Sequence, residues 1–168
     1  NSVAPAGAAE YILIGKGQSD NYSNSGASGL SVGDELRIYD TSPRNTIANS
    51  SLSQYLNSGW YESVTLPTGV YFIIAQFNVE FSASGYLSVE LTDTATNINY
   101  SMRAIIGDNA ANRINGGSTT VTGTFELTSS ATLELRIKDS SNVQFPQPNV
   151  PNQPNIVSEQ SYLYLQKV

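Results

Sequence analysis

Residues 60–81 read WYESVTLPTGVYFIIAQFNVEF, and the physical chemistry of this stretch organises the reading of the whole chain. An aromatic pair, Trp60-Tyr61, leads into Leu66-Pro67-Thr68-Gly69. Pro67 fixes φ and Gly69 permits φ > 0, so together they predict a defined corner ahead of a strand. In that strand Val70, Phe72 and Ile74 share one face, and Tyr71, Ile73, Ala75, Phe77, Val79 and Phe81 share the other. Past Ile74 the first face turns polar, at Gln76, Asn78 and Glu80. A strand apolar on both faces at one end, and on one face at the other, belongs at the centre of a compact β-fold.

The same period of two recurs along the chain, and no stretch carries sustained helical periodicity. Residues 11–14 form a short apolar strand. Residues 35–40 place Leu36 and Ile38 inward, and 86–91 place Leu87, Val89 and Leu91 inward against Tyr86, Ser88 and Glu90. Residues 119–127 point Val121, Phe125 and Leu127 inward, with threonines opposite. In 131–138, Ala131, Leu133, Leu135 and Ile137 alternate with Thr132, Glu134, Arg136 and Lys138. Leu163 and Leu165 alternate with Tyr162, Tyr164 and Gln166 in a closing strand. Ser82-Ala83-Ser84-Gly85 and Thr128-Ser129-Ser130 read as tight hairpin turns. Three connections are long, near 40–59, 92–118 and 139–160, and residues 98–106 are a candidate further strand within the second. Many strands with turn signals and no helix make the chain all-β, a sandwich or barrel.

Composition narrows the functions. At 168 residues one domain, 10–168, is the expectation, behind a linker or arm at 1–9 (NSVAPAGAA) that is rich in small residues. The charged fraction is 13%, about half the globular norm, and Asn, Ser, Thr and Gln supply the polarity. The net charge of −6, with eight basic residues scattered in sequence, argues against nucleic acid. The absence of cysteine removes a disulfide framework and thiolate chemistry. The absence of histidine removes Ser/His/Asp catalysis and every histidine-ligated metal. No apolar run approaches the roughly 18 residues that span a bilayer, so membrane insertion is not expected.

The order of these elements resembles the tumour-necrosis-factor-like jelly roll, which the globular heads of the first complement component also use. Three stretches carry the resemblance. The Leu66-Pro67-Thr68-Gly69-Val70-Tyr71-Phe72 corner is similar to the family's Pro-x-Gly-x-Tyr entry into its long central strand. Gly123-x-Phe125-x-Leu127 followed by Leu133-x-Leu135 looks like the paired strands before the last loop. Ser161-Tyr162-Leu163-Tyr164-Leu165 is like the aromatic closing strand, without the Phe-Ser-Gly stretch often found there. The low charge and the Asn/Ser/Thr surface look more like bacteriophage fibre, spike or capsid-decoration versions of this fold. The resemblance implies an antiparallel jelly-roll sandwich assembled as a homotrimer, with Tyr162 and Tyr164 nearest the threefold axis and Tyr71 and Phe77 in either core or interface. It also implies a non-enzymatic virion protein, extracellular, joined to other virion proteins through the N-terminal arm and without a cofactor. The alternatives from other classes are a secreted bacterial carbohydrate-binding module and a polysaccharide depolymerase.

The residues themselves offer few sites. A glycosidase needs two carboxylates flanking a cleft. Glu80, Glu90, Glu126 and Glu134 each occupy the polar position of an alternating strand, the usual place for a solvated charge. Asp108-Asn109-Ala110-Ala111-Asn112 and Asp20-Asn21 lack the spacing of a calcium loop and suit turns. Asn-x-Ser triplets at Asn21, Asn49 and Asn99 are expected by chance in so Asn-rich a chain. The loop before the closing strand has the strongest claim to recognition, because long ordered loops often carry binding. Its Phe145, Gln147, Asn149 and Asn152, stiffened by prolines, form a polar surface with an aromatic platform suited to host surface polysaccharide. The competing role for this loop is to pack along a neighbouring subunit.

Overall fold

The computed structural model describes residues 8–15, 32–56, 59–108, 116–144 and 162–168. Ten strands follow in chain order: β1 Tyr11–Ile14, β2 Ile38–Tyr39, β3 Arg44–Asn45, β4 Ser51–Gln54, β5 Trp60–Leu66, β6 Gly69–Asp93, β7 Ala104–Asp108, β8 Gly116–Leu127, β9 Ala131–Gln144 and β10 Tyr162–Lys167. All pairings between them are antiparallel, and no helix occurs among the described residues.

The strand β6 explains the architecture. At 25 residues it would run about 80 Å if straight, far beyond a domain of this size. Its ends lie together instead: Gly69 pairs with Leu127 of β8 and Asp93 with Leu133 of β9, and only residues 128–130 separate β8 from β9. The strand therefore folds over on itself. Its first half, 69–80, pairs with β8 on one side and β10 on the other. Its second half, 86–93, pairs with β9 and β7. Between Phe81 and Tyr86 the register to β9 jumps, which marks the corner where the strand passes between layers. One layer is β3-β1-β10-β6-β8. The other is β5-β9-β6-β7, with β2 and β4 each paired to β5.

Two expectations change here. Residues 82–85 and 128–130 lie where the chain reverses, but neither makes a tight hairpin. The two halves of β6 do not pair with each other, and neither do β8 and β9. Each connection carries the chain from one layer to the other, because both flanking strands are apolar on one face and must close on the same core. The first and third long connections also hold more strand than expected: β3 and β4 lie in the first, and β9 runs on to Gln144, while β7 in the second overlaps the end of the candidate strand at 98–106.

The inward faces match the alternation. Ile12, Leu66, Tyr71, Ile73, Ala75, Phe77, Leu87, Val89, Leu91, Val121, Leu133, Ile137 and Leu165 are wholly buried between the layers. Tyr71 and Phe77, open between core and interface in the sequence, are core, with no side-chain surface to offer a partner. The Tyr71 hydroxyl donates to the Pro67 carbonyl at 2.8 Å and the ring stacks on Phe125 with centroids 5.7 Å apart. That bond ties the corner to the strand that follows. Gly69 has φ +155°, and a Cβ there would lie 3.1 Å from Lys167 Cε and 3.3 Å from the Tyr71 hydroxyl.

Candidate interaction face

The outer face of the β3-β1-β10-β6-β8 layer is built by the side chains that alternate with the core. In β10, Leu163 and Leu165 are buried, so Tyr162, Tyr164 and Gln166 point outward. Antiparallel register then decides their neighbours. Tyr164 sits between Leu13 of β1 and Ile74 of β6, and Ile74 faces Thr122 of β8. Gln166 sits between Tyr11 and Phe72, while Tyr162 faces Gln76. Val70, one step further along β6, is 39% exposed. The outcome is a band of Tyr11, Leu13, Phe72, Ile74, Tyr162 and Tyr164 across three adjacent strands, each partly open to solvent.

This band is uncharged at its centre and tied by contacts among its own side chains. Tyr11 and Tyr164 stack with centroids 6.0 Å apart. The Tyr164 hydroxyl donates to Gln166 Oε1 at 3.0 Å. Arg44 stands at one margin, donating to the Tyr11 hydroxyl at 3.5 Å, and the exposed Glu126 opposite Val70 stands at another. The sequence placed Val70, Phe72 and Ile74 in a strand buried on both faces. Among the described residues only the Tyr71 face is fully covered, and Phe72 and Ile74 on the other face stay partly open. Tyr11 and Leu13 were missed as members of the band, because their membership depends on the β1–β10 register rather than on their own segment.

The opposite layer presents a different surface. Four of the chain's eight basic residues, Arg37, Arg103, Arg136 and Lys138, gather on it although they are dispersed in sequence. Arg37 pairs with Glu35, reaches Glu62 at 3.8 Å, and lies 3.6 Å above the Tyr55 ring. Arg136 pairs with Glu134 and bonds Asn97. Arg103 Nε donates to Glu90 Oε1 at 2.6 Å. Burial, together with the nearby Arg136 and Arg103, holds the Lys138 ammonium below the usual lysine range, against the pull of Glu90 and Glu134. Glu90 and Glu134 are therefore not the solvated charges their strand positions implied: Glu90 is buried and both are ion-paired. Glu126 is exposed, and the Glu80 side chain lies outside the described residues.

The strand ends sort by pole. Glu10, Val168 and the Pro67–Gly69 corner lie together: Lys167 N donates to the Glu10 carbonyl and Val168 N to the Val70 carbonyl. Ile14, Asp108, Gly116, Gln144 and Tyr162 lie toward the other pole, near the β6 corner. The expected recognition residues Phe145, Gln147, Asn149 and Asn152 lie outside the described residues, as do Asp20-Asn21 and Asn109–Asn112.

No family model and no curated protein matches the sequence. The fold does have counterparts among solved structures. Eiger TNF from S. frugiperda aligns over 95% of this chain and 92% of its own, at 13% identity and a TM-score of 0.56. Murine APRIL at pH 5.0 aligns over 95% of this chain and 98% of its own, at 13% identity and a TM-score of 0.52. At such identities the likeness concerns the fold alone: the chain has a TNF-like jelly roll.

Proposed function

We propose that this chain is a non-enzymatic display domain that self-associates as a homotrimer through the outer face of the β3-β1-β10-β6-β8 layer. The observation that supports the reading is the uncharged aromatic band of Tyr11, Leu13, Phe72, Ile74, Tyr162 and Tyr164, which the described residues leave partly open. Packed on copies of itself, the band would gain burial worth about 25 cal/mol per Å² of apolar surface. An apolar central strand face is costly to leave in water, and an uncharged centre lets identical faces meet without like-charge repulsion. We place the domain on a bacteriophage virion, as a fibre head, spike tip or capsid decoration. Its low charge and amide-rich surface support that placement. So does the pole arrangement, with residues 8–10 at one end and the strand ends bordering 109–115 and 145–161 toward the other. In this reading Phe145, Gln147, Asn149 and Asn152 contact host surface glycans, and three copies convert weak contacts into avidity.

Light scattering on a size-exclusion column tests the assembly. The expected mass is near three times 18.0 kDa. Tyr162→Asp and Ile74→Asp should each shift the protein toward the monomer, since each buries a charge in the band. A monomeric parent protein, or a trimer unchanged in both variants, would exclude this face.

A further inference from the structure

The outer face of the other layer holds two buried polar atoms without partners among the described residues. Tyr86, Ser88 and Glu90 alternate with the fully buried Leu87 and Val89, so all three point away from the core. Ser88 and Glu90 are nonetheless only 3% and 6% exposed, and Ser88 Oγ and Glu90 Oε2 have no hydrogen-bond partner among the described residues. Buried polar atoms are normally satisfied, so two orphans two positions apart on one strand face mark a missing partner. An ionised carboxylate only accepts, and the partner that Glu90 lacks is therefore a donor.

The surroundings narrow its chemistry. Glu90, Glu134 and Asp139 offset Arg103, Arg136 and Lys138, three charges of each sign. The site thus carries no net charge to select an ion, and a neutral donor fits it with least electrostatic cost. Beside the orphans stands an open aromatic ledge. Tyr86 is 42% exposed because its cross-strand neighbours are Gly107 and Ser141, both small, and its hydroxyl donates to Asp139 Oδ1 at 3.1 Å, which fixes the ring. Ile105, opposite Ser88 and 67% exposed, adds an apolar wall. A neutral molecule with an apolar face and many hydroxyl donors is a sugar.

We infer that this face binds a neutral oligosaccharide along β6, with one pyranose ring on Tyr86 and a hydroxyl of the next ring donating to Glu90 Oε2. Ser88 and Glu90 lie about 6.6 and 13 Å along the strand from Tyr86, a span longer than one ring. Glu90 Oε2 is buried, and Arg103, half exposed and bonded to Oε1, is the side chain this contact requires to shift. The inference shares with the proposed function the idea that the ligand is a glycan, and differs in placing it on the sheet.

Saturation-transfer NMR on the full chain, with cellobiose, maltose, N,N′-diacetylchitobiose and their monosaccharides as probes, tests this. At least one disaccharide should be saturated several-fold more strongly than its monosaccharide. Tyr86→Ala and Ile105→Lys, both at exposed positions and checked by circular dichroism, should each reduce that signal several-fold, while Ser129→Ala, exposed in the 128–130 link, leaves it intact. Signal lost in Phe145→Ala and kept in Tyr86→Ala would overturn the sheet site and leave the loop reading standing. Saturation of no sugar by the parent protein would overturn both, whatever the trimer mass.

Discussion

Asp93 shows how much a single side chain can hold at the end of a long strand. Its carboxylate accepts from the Thr96 hydroxyl at 2.7 Å and from Ala95 N at 2.9 Å, and its carbonyl accepts from Asn97 N. Those bonds, the Thr96 hydroxyl first, hold its pKa below the ordinary carboxylate value. A depressed folded-state pKa stabilises the fold above the unfolded value of about 3.9, and that contribution is lost as pH falls through the folded value. Asp93→Ala should therefore cost about 1–2 kcal/mol at neutral pH, read as a lower urea midpoint. The gap between parent and variant should narrow below about pH 3.9. A gap independent of pH would mean that the charge is not what holds the turn. This turn was not legible beforehand, because Asp93-Thr94-Ala95-Thr96 looks like any polar connection until the bonds close. The Pro67–Gly69 corner was legible, since proline and glycine restrict φ without help from distant residues.

At the scale of elements, the inward alternation of β6, β8, β9 and β10 followed from sequence, and the pairing of their halves did not. The segment 99–103 illustrates the difference. It has no strand of its own, yet Tyr100 N donates to the Leu91 carbonyl, the Ser101 hydroxyl accepts from Leu91 N, and Met102 N donates to the Thr122 carbonyl. The segment thus bridges β6 in one layer and β8 in the other, with the Tyr100 ring 5.4 Å from Phe125. Its close approach needs Gly123, between the inward Val121 and Phe125. A Cβ at Gly123 would sit 3.0 Å from Ser101 Cα and 3.2 Å from the Tyr100 carbonyl, both backbone atoms that cannot swing aside. Gly123→Ala should destabilise by about 1–3 kcal/mol in chemical denaturation. An unchanged midpoint would show that the segment yields freely. The Glu90 cluster has the same origin: a carboxylate at a polar strand position looks solvated until β9 brings Arg136 opposite it and Arg103 returns to it from 13 residues along the chain.

For the whole molecule, the proposed assembly would tie stability to concentration. If three copies cover the aromatic band, folding and assembly are linked by mass action, and the unfolding temperature should rise with protein concentration across a wide dilution series. A midpoint independent of concentration would make the single chain the unfolding unit. The sequence alone determined that the chain is all-β, which residues face inward, where the Pro67–Gly69 corner lies, and that Tyr162 and Tyr164 oppose Leu163 and Leu165, because these follow from local dihedral limits and a period of two. Only the tertiary structure decided that 82–85 and 128–130 carry the chain between layers, that Tyr71 and Phe77 belong to the core, that Tyr11 and Leu13 join the aromatic band, and that four dispersed cations share one face. Those outcomes depend on register between strands far apart in the chain, which is selected by the closing of two layers on one core rather than by any segment's own residues.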